Sequence, residues 1–199
     1  AEKAYALALK NNKARKFIQT VSYAPYFLSN VILVCVMNLL FGANGVVNAV
    51  IMNITGGDPV QFTSAAEYFR TMYIGSTVWQ SMGFNAIVYI AALAGISPDF
   101  YEAAVVDGAT KFQRIIYIDI PLIMPTVILM LILAIGQIMG LGYEKAYLMQ
   151  TGTNTTVSEI ITTYTYKVGL QGAQYSFATA VGLFNSVVNF IILVLANLV

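Results

Sequence analysis

Histidine is absent from this 199-residue sequence, cysteine occurs once, and charged residues make up only 10%. With no imidazole and one thiol, the usual zinc and iron ligand sets cannot be assembled, so no metal site is expected. The lone Cys35 forbids an internal disulfide and sits in the apolar run Val31 to Met37, where it reads as a small buried hydrophobe. Neither a phosphate-binding Gly-x-x-x-x-Gly-Lys loop nor a Gly-x-Ser-x-Gly elbow occurs. An enzyme is therefore the weaker class of reading, and no cofactor is expected. Charge of either sign is also scarce and balanced, 10 Lys and Arg against 9 Asp and Glu, which leaves no basic footprint for nucleic acid. The N-terminus lacks a cleavable leader pattern, and the chain begins and ends in helix-like apolar sequence, as a piece of a longer protein would.

What the sequence has in quantity is hydrocarbon. It is 58% hydrophobic with a mean hydropathy of +0.73, outside the range of ordinary soluble domains. Residues 17–57, 71–98, 120–143 and 168–199 carry no charge, and each run reaches the roughly 20 residues needed to cross a bilayer. Backbone amides cannot go unpaired in lipid, and continuous apolarity without alternation selects helices over a barrel. The expected spans are 23–41, 69–93, 121–141 and 176–198, with 4–9 as the end of a further helix. The expected fold class is thus an all-α polytopic membrane protein.

Orientation is set by the loops. Lys3, Lys10, Lys13, Arg15 and Lys16 precede the first span, and Lys111 and Arg114 lie between the second and third. Positive charge stays on the cytoplasmic side, and an even number of crossings separates the two basic segments. Segments 44–67 and 142–175 then fall outside; rich in Gly, Asn, Thr and Gln, they read as loops.

Within the cytoplasmic stretch 95–121 the local signals are strong. Ser97 can cap a helix that has Pro98 in its first turn and Asp99 at its positive end, and Gly108 can make the left-handed stop. A second helix should start near Thr110, with Phe112, Ile115 and Ile116 on one apolar face and Lys111 and Arg114 on another. Pro121 is expected to end that element before the next span.

Glu102-Ala103-Ala104, then Gly108 after three residues, then Ile118-Asp119-Ile120-Pro121 after nine more, resembles the EAA loop (E-A-A-x3-G-x9-I-x-L-P) of binding-protein-dependent importer permeases. Ile120 in place of Leu is its one departure. Flanking segments 89–96, 107–109, 164–170 and 175–182 are similar to the carbohydrate branch, notably oligosaccharide permeases of the LplB type. The resemblance implies a type I ABC importer permease (MetI-like) helical bundle. Of its six helices, residues 1–199 would hold four to five as one partial transmembrane domain, with 95–121 as its coupling loop. It further implies an ABC ATPase dimer that binds the ATP, a second, different permease subunit and an extracytoplasmic solute-binding protein, all at a bacterial inner membrane. The coupling role carries onto Glu102, Ala103, Ala104, Asp107 and Gly108. Glu102 would present charge to the ATPase, the alanines would permit close approach, and Gly108 would make the turn; a plain solubilising role for Glu102 is the alternative. The solute implied is an oligosaccharide or polysaccharide fragment, although no basic residue in the spans marks a carboxylate site.

Polar residues interrupt the spans, and each is costly in lipid unless it faces the bundle or water. Asn30, Asn38, Gln80, Asn85, Gln137, Asn185 and Asn189, with Trp79 as a stacking surface, are the candidate solute pathway. Interhelical hydrogen bonding is the competing reading for each amide. Gly136-x-x-x-Gly140 suits close helix packing. A self-contained secondary transporter or channel is the alternative function, but neither a charged residue deep in a span nor repeat halves with broken helices is visible.

Overall fold

The computed structural model describes residues 12–138, 140 and 142–197. The expected helix end at 4–9, Lys3 and Lys10, and the expected span ends at Leu141 and Leu198 lie outside the described residues. Helices in chain order are α1 (Asn12–Tyr23), α2 (Asn30–Phe41), α3 (Val46–Thr55), α4 (Ala66–Ala94), α5 (Pro98–Val106), α6 (Lys111–Arg114), α7 (Ile120–Ile135), α8 (Tyr143–Leu148), α9 (Thr155–Ser158), α10 (Ile161–Thr165) and α11 (Tyr175–Asn197). A 3-10 turn, Ala24–Phe27, comes after α1, and π-helical turns Ile115–Asp119 and Tyr166–Gln171 come after α6 and α10. No strand occurs among the described residues.

Four stretches are long and apolar enough to cross a membrane: Asn30–Thr55, Ala66–Ala94, Lys111–Ile135 and Tyr175–Asn197. Their number agrees with the charge-free runs, but the first and third differ in extent. A span from 23 is prevented by the 3-10 turn around buried Pro25 and by Ser29, whose hydroxyl accepts from the Ile32 amide and caps α2. The same stretch continues past Phe41 through a break at 42–45 into α3, where the sequence suggested a loop. Asn48 supplies the hydrogen bonds that make the break tolerable. Fully buried, its amide nitrogen donates to the carbonyls of Gly42 and Val60, and its oxygen accepts from the Val60 amide.

The third helical stretch, Lys111–Ile135, starts before the expected span does and also ends before it does. Pro121 does not terminate a helix. A π turn absorbs it, with the Ile120 amide donating to Ile115, and the chain runs on through Pro125 to Ile135. The Gly136-x-x-x-Gly140 pattern therefore lies beyond the end of α7 rather than along a helix face.

The chain divides into two compact units. The first comprises the described residues among 1–26, 81–136 and 193–199. In it Tyr26 stacks on Phe84 with ring centroids 3.9 Å apart, and α1 approaches α4 so closely that a Cβ on Gly83 would overlap the Ser22 carbonyl oxygen. The second unit comprises 27–80 and 137–192. Its buried apolar side chains include Leu33, Val34, Met37, Phe69 and Ala146. Around them a Phe41–Phe62–Tyr68 aromatic chain packs edge to face or tilted.

Much of the remaining apolar surface is open, including Leu129 and Leu131 on α7 and Phe184 and Phe190 on α11. Large exposed hydrophobes of this extent would aggregate in water and suit lipid or neighbouring helices. Cys35 obeys the same logic: the structure places it exposed on α2, not buried as its apolar neighbourhood suggested.

Candidate functional site

The loop at 95–121, in the first unit, is built by caps. The Ser97 hydroxyl accepts from the Asp99 amide at the start of α5, with Pro98 in the first turn, where its missing amide proton costs nothing. At the other end Gly108 has φ +70°, the Ala109 amide donates to Ala104 and the Gly108 amide to Val105. These two bonds form a Schellman stop, which satisfies terminal carbonyls and reverses the chain within a few residues. Thr110 then caps α6 reciprocally with Gln113: the Thr110 hydroxyl accepts from the Gln113 amide, and the Gln113 side chain accepts from the Thr110 amide.

On this frame Glu102, Ala103, Asp107 and Gly108 are exposed, and Ala104 is buried, 8% accessible. The two alanines thus divide. Ala103 leaves the open face of α5 flat, whereas Ala104 packs against its own chain. The open surface also carries Phe100, Val105, Val106 and, on α6, Phe112, with Val106 87% exposed. An acidic residue among apolar side chains on a short, doubly capped helix is an arrangement that a complementary protein surface can bury. The Tyr101 hydroxyl donates to Asp119 Oδ1 at 2.5 Å, across 18 residues. Burial, then the Asp119 hydrogen bond and charge, raises Tyr101 to about 12, so the phenol keeps its proton.

The candidate pathway residues are divided between the two units. Asn85 is exposed in the first unit. In the second unit Gln80 donates to the Leu28 carbonyl and Asn30 to Glu144, so these two amides make tertiary bonds within that unit. Trp79 lines an apolar cavity of about 350 Å³ with Leu33, Met37, Phe41, Met72 and Gly75. Asn38 and Gln137 are exposed. Asn185 and Asn189, one turn apart on α11, each hold a buried Oδ1 with no hydrogen-bond partner among the described residues.

Several polar residues carry no signal in the sequence. Lys145 is 3% exposed; its ammonium donates to Thr77 Oγ1 at 2.9 Å and lies 5.5 Å from the Tyr73 ring centroid. Burial lowers it to about 8. Beside it Tyr143, Tyr147 and Tyr166 form an aromatic trio, with Tyr143 raised to about 12 by burial and by the Tyr166 hydrogen bond. Asn154, Ser158 and Thr163 are fully buried. Nothing local singles them out, because a Thr- and Asn-rich run reads as solvated loop unless tertiary contacts are known.

The family model for the binding-protein-dependent transport system inner membrane component matches residues 4–199. Protein LplB of Bacillus subtilis is 42% identical over 197 residues, covering 96% of this chain and 62% of LplB. The polygalacturonan/rhamnogalacturonan transport system permease protein YteP of the same organism is 39% identical, covering 96% and 61%. A crystal structure of a bacterial ABC transporter involved in the import of the acidic polysaccharide alginate superposes with a TM-score of 0.90 at 40% identity, covering 95% of this chain and 66% of that one. The chain thus spans about three fifths of the curated relatives it matches. With four membrane-length helices, an all-helical described structure and a family match over nearly its whole length, the chain belongs to the binding-protein-dependent inner membrane components and has the type I importer permease fold.

Proposed function

We propose that this chain, as one transmembrane domain, forms part of the pathway by which an ATP-binding-cassette importer moves an acidic oligosaccharide or polysaccharide fragment, and that 95–121 couples it to a separate ATPase. The observation that carries the coupling role is the capped α5, which presents Glu102 and Ala103 beside exposed Phe100, Val105 and Val106. Residues 95–121 lie on the cytoplasmic side by their charge. An ATPase dimer there binds and hydrolyses ATP, and its closure pushes on α5. The caps make the loop a stiff element rather than a slack linker, and a stiff element can transmit a rigid-body displacement into the spans. A second, different permease subunit completes the pathway, and a solute-binding protein delivers the cargo from outside.

The solute class rests on relatives: YteP is named for polygalacturonan and rhamnogalacturonan, and the alginate importer has also been crystallised with an alginate pentasaccharide-bound periplasmic protein. Amides and Trp79 in the spans suit hydroxyl-rich cargo, since they hydrogen-bond and stack without requiring a buried charge.

The test is ATP hydrolysis by the full-length protein with its partners in proteoliposomes, with and without sugar-loaded binding protein. Glu102→Lys and Gly108→Pro are expected to abolish the stimulated rate while the complex still inserts. Indifference to both changes, or equal sugar entry without any ATPase, would hand the protein to the channel or secondary-transporter reading.

A further inference from the structure

The Schellman turn at Gly108 joins α5 to α6 at one end only, and leaves the middle of α5 without a backbone link to the helix that follows. The structure closes that gap with a second attachment. Tyr101, in the middle of α5, bonds through its hydroxyl to Asp119, the last residue of the π turn before α7. Helix, turn and the base of the next span thereby form a closed triangle. Two of its sides are backbone and the third is a charge-assisted side-chain bond.

The position of Asp119 is set by the π turn. An extra residue in a helical turn shifts the azimuth of the residues after it by about 100°, and such insertions recur at functional places. Asp119 is also the one acidic residue in the Lys111–Ile135 stretch, and it stands at the base of the uncharged run that follows it.

We propose that Tyr101 and Asp119 form a strut that carries displacement of α5 into the spanning helix, so that both act as positioning residues for energy coupling. The inference rests on the coupling role proposed above. Its test uses the full-length complex in proteoliposomes with sugar-loaded binding protein and reads the amount of sugar moved per ATP hydrolysed.

Tyr101→Phe deletes the phenol hydroxyl that donates to Asp119. Losing a hydrogen bond to a charged group predicts a fall of about tenfold in that ratio, in a complex that still assembles with at most a modest drop in thermal midpoint. Asp119→Asn keeps an acceptor oxygen for the phenol and should fall by less. Because the two groups act as a unit, the double variant should be no worse than Tyr101→Phe.

An unchanged ratio in Tyr101→Phe, or additive losses in the double variant, overturns the strut. A lower yield with a normal ratio in the complex that does assemble also overturns it, since that is what a merely structural bond would give. If Tyr101→Phe does not assemble, Asp119→Asn decides by the same ratio. Loss of coupling in Glu102→Lys together with a normal ratio in Tyr101→Phe sinks the strut and spares the coupling role.

Discussion

Residues 95–121 and residues 142–174 are both polar connections of similar length between long apolar helices, yet they are held in different ways. The first is organised by its neighbours in sequence: Ser97, Pro98, Gly108, Thr110 and Gln113 cap helices whose ends they immediately flank. The second is organised from inside. Asn154 accepts from the Thr151 amide and the Ser158 hydroxyl and donates to the Met149 carbonyl, while Gln150 donates to Ser158 and Thr163. Thr151 and Thr153 reach out to the Ser64 carbonyl, and Lys145 reaches to Thr77. A connection held by local caps can keep its surface free for another protein. One held by buried polar side chains is part of its own unit's core.

That contrast can be broken most severely at Asn154. Asn154→Ala removes three side-chain hydrogen bonds and leaves buried groups unpaired, so a loss of about 3 kcal/mol is expected. Limited proteolysis and the thermal midpoint of the purified complex are the measurements. New cleavage should appear within 142–174 and spare 95–121, and equal cleavage in both would dissolve the distinction.

A smaller effect is expected at Gly108. A side chain there meets no atom within 4 Å, so Gly108→Ala suffers only the left-handed backbone cost of about 1–2 kcal/mol. Amide exchange should quicken in α5 and leave 142–174 untouched. Exchange that is unchanged in α5 would show that the turn does not depend on its glycine.

The smallest effect sharpens the comparison through pH. Burial lowers Lys145 from 10.5 to about 8, so the folded protein releases this proton at a lower pH than the unfolded chain does. Between roughly pH 8 and 10 the unfolded state binds more protons at this site, and stability must rise with pH; below about 8 the contribution is flat. The difference in thermal midpoint, native protein minus Lys145→Met, should therefore increase from pH 8 to 10. A flat difference would mean that Lys145 stays charged in the fold.

The same division explains which parts were legible. Helix α5, its cap at Ser97, its stop at Gly108 and the restart at Thr110 were all readable, because a cap is a contact between residues two to five apart. Helices α8, α9 and α10, which read as loop, were not, since Asn154, Ser158 and Thr163 support them only once buried. The candidate pathway was legible as a set of amides but not as an arrangement. Gln80 and Asn30 are engaged by Leu28 and Glu144, partners 52 and 114 residues away.

By itself the sequence determined the class of the protein, the number of membrane-length helices and the shape of the loop at 95–121. Each depends on quantities summed or satisfied locally: about 20 apolar residues in a row, or a hydroxyl beside a free amide. Only the tertiary structure decided the break at 42–45, the passage of a helix through Pro121, the burial of Lys145 and the bond from Tyr101 to Asp119. All four turn on groups distant in sequence or on backbone bonds rearranged by packing, because a buried polar group is tolerated only where a partner meets it, and that partner is supplied by the fold.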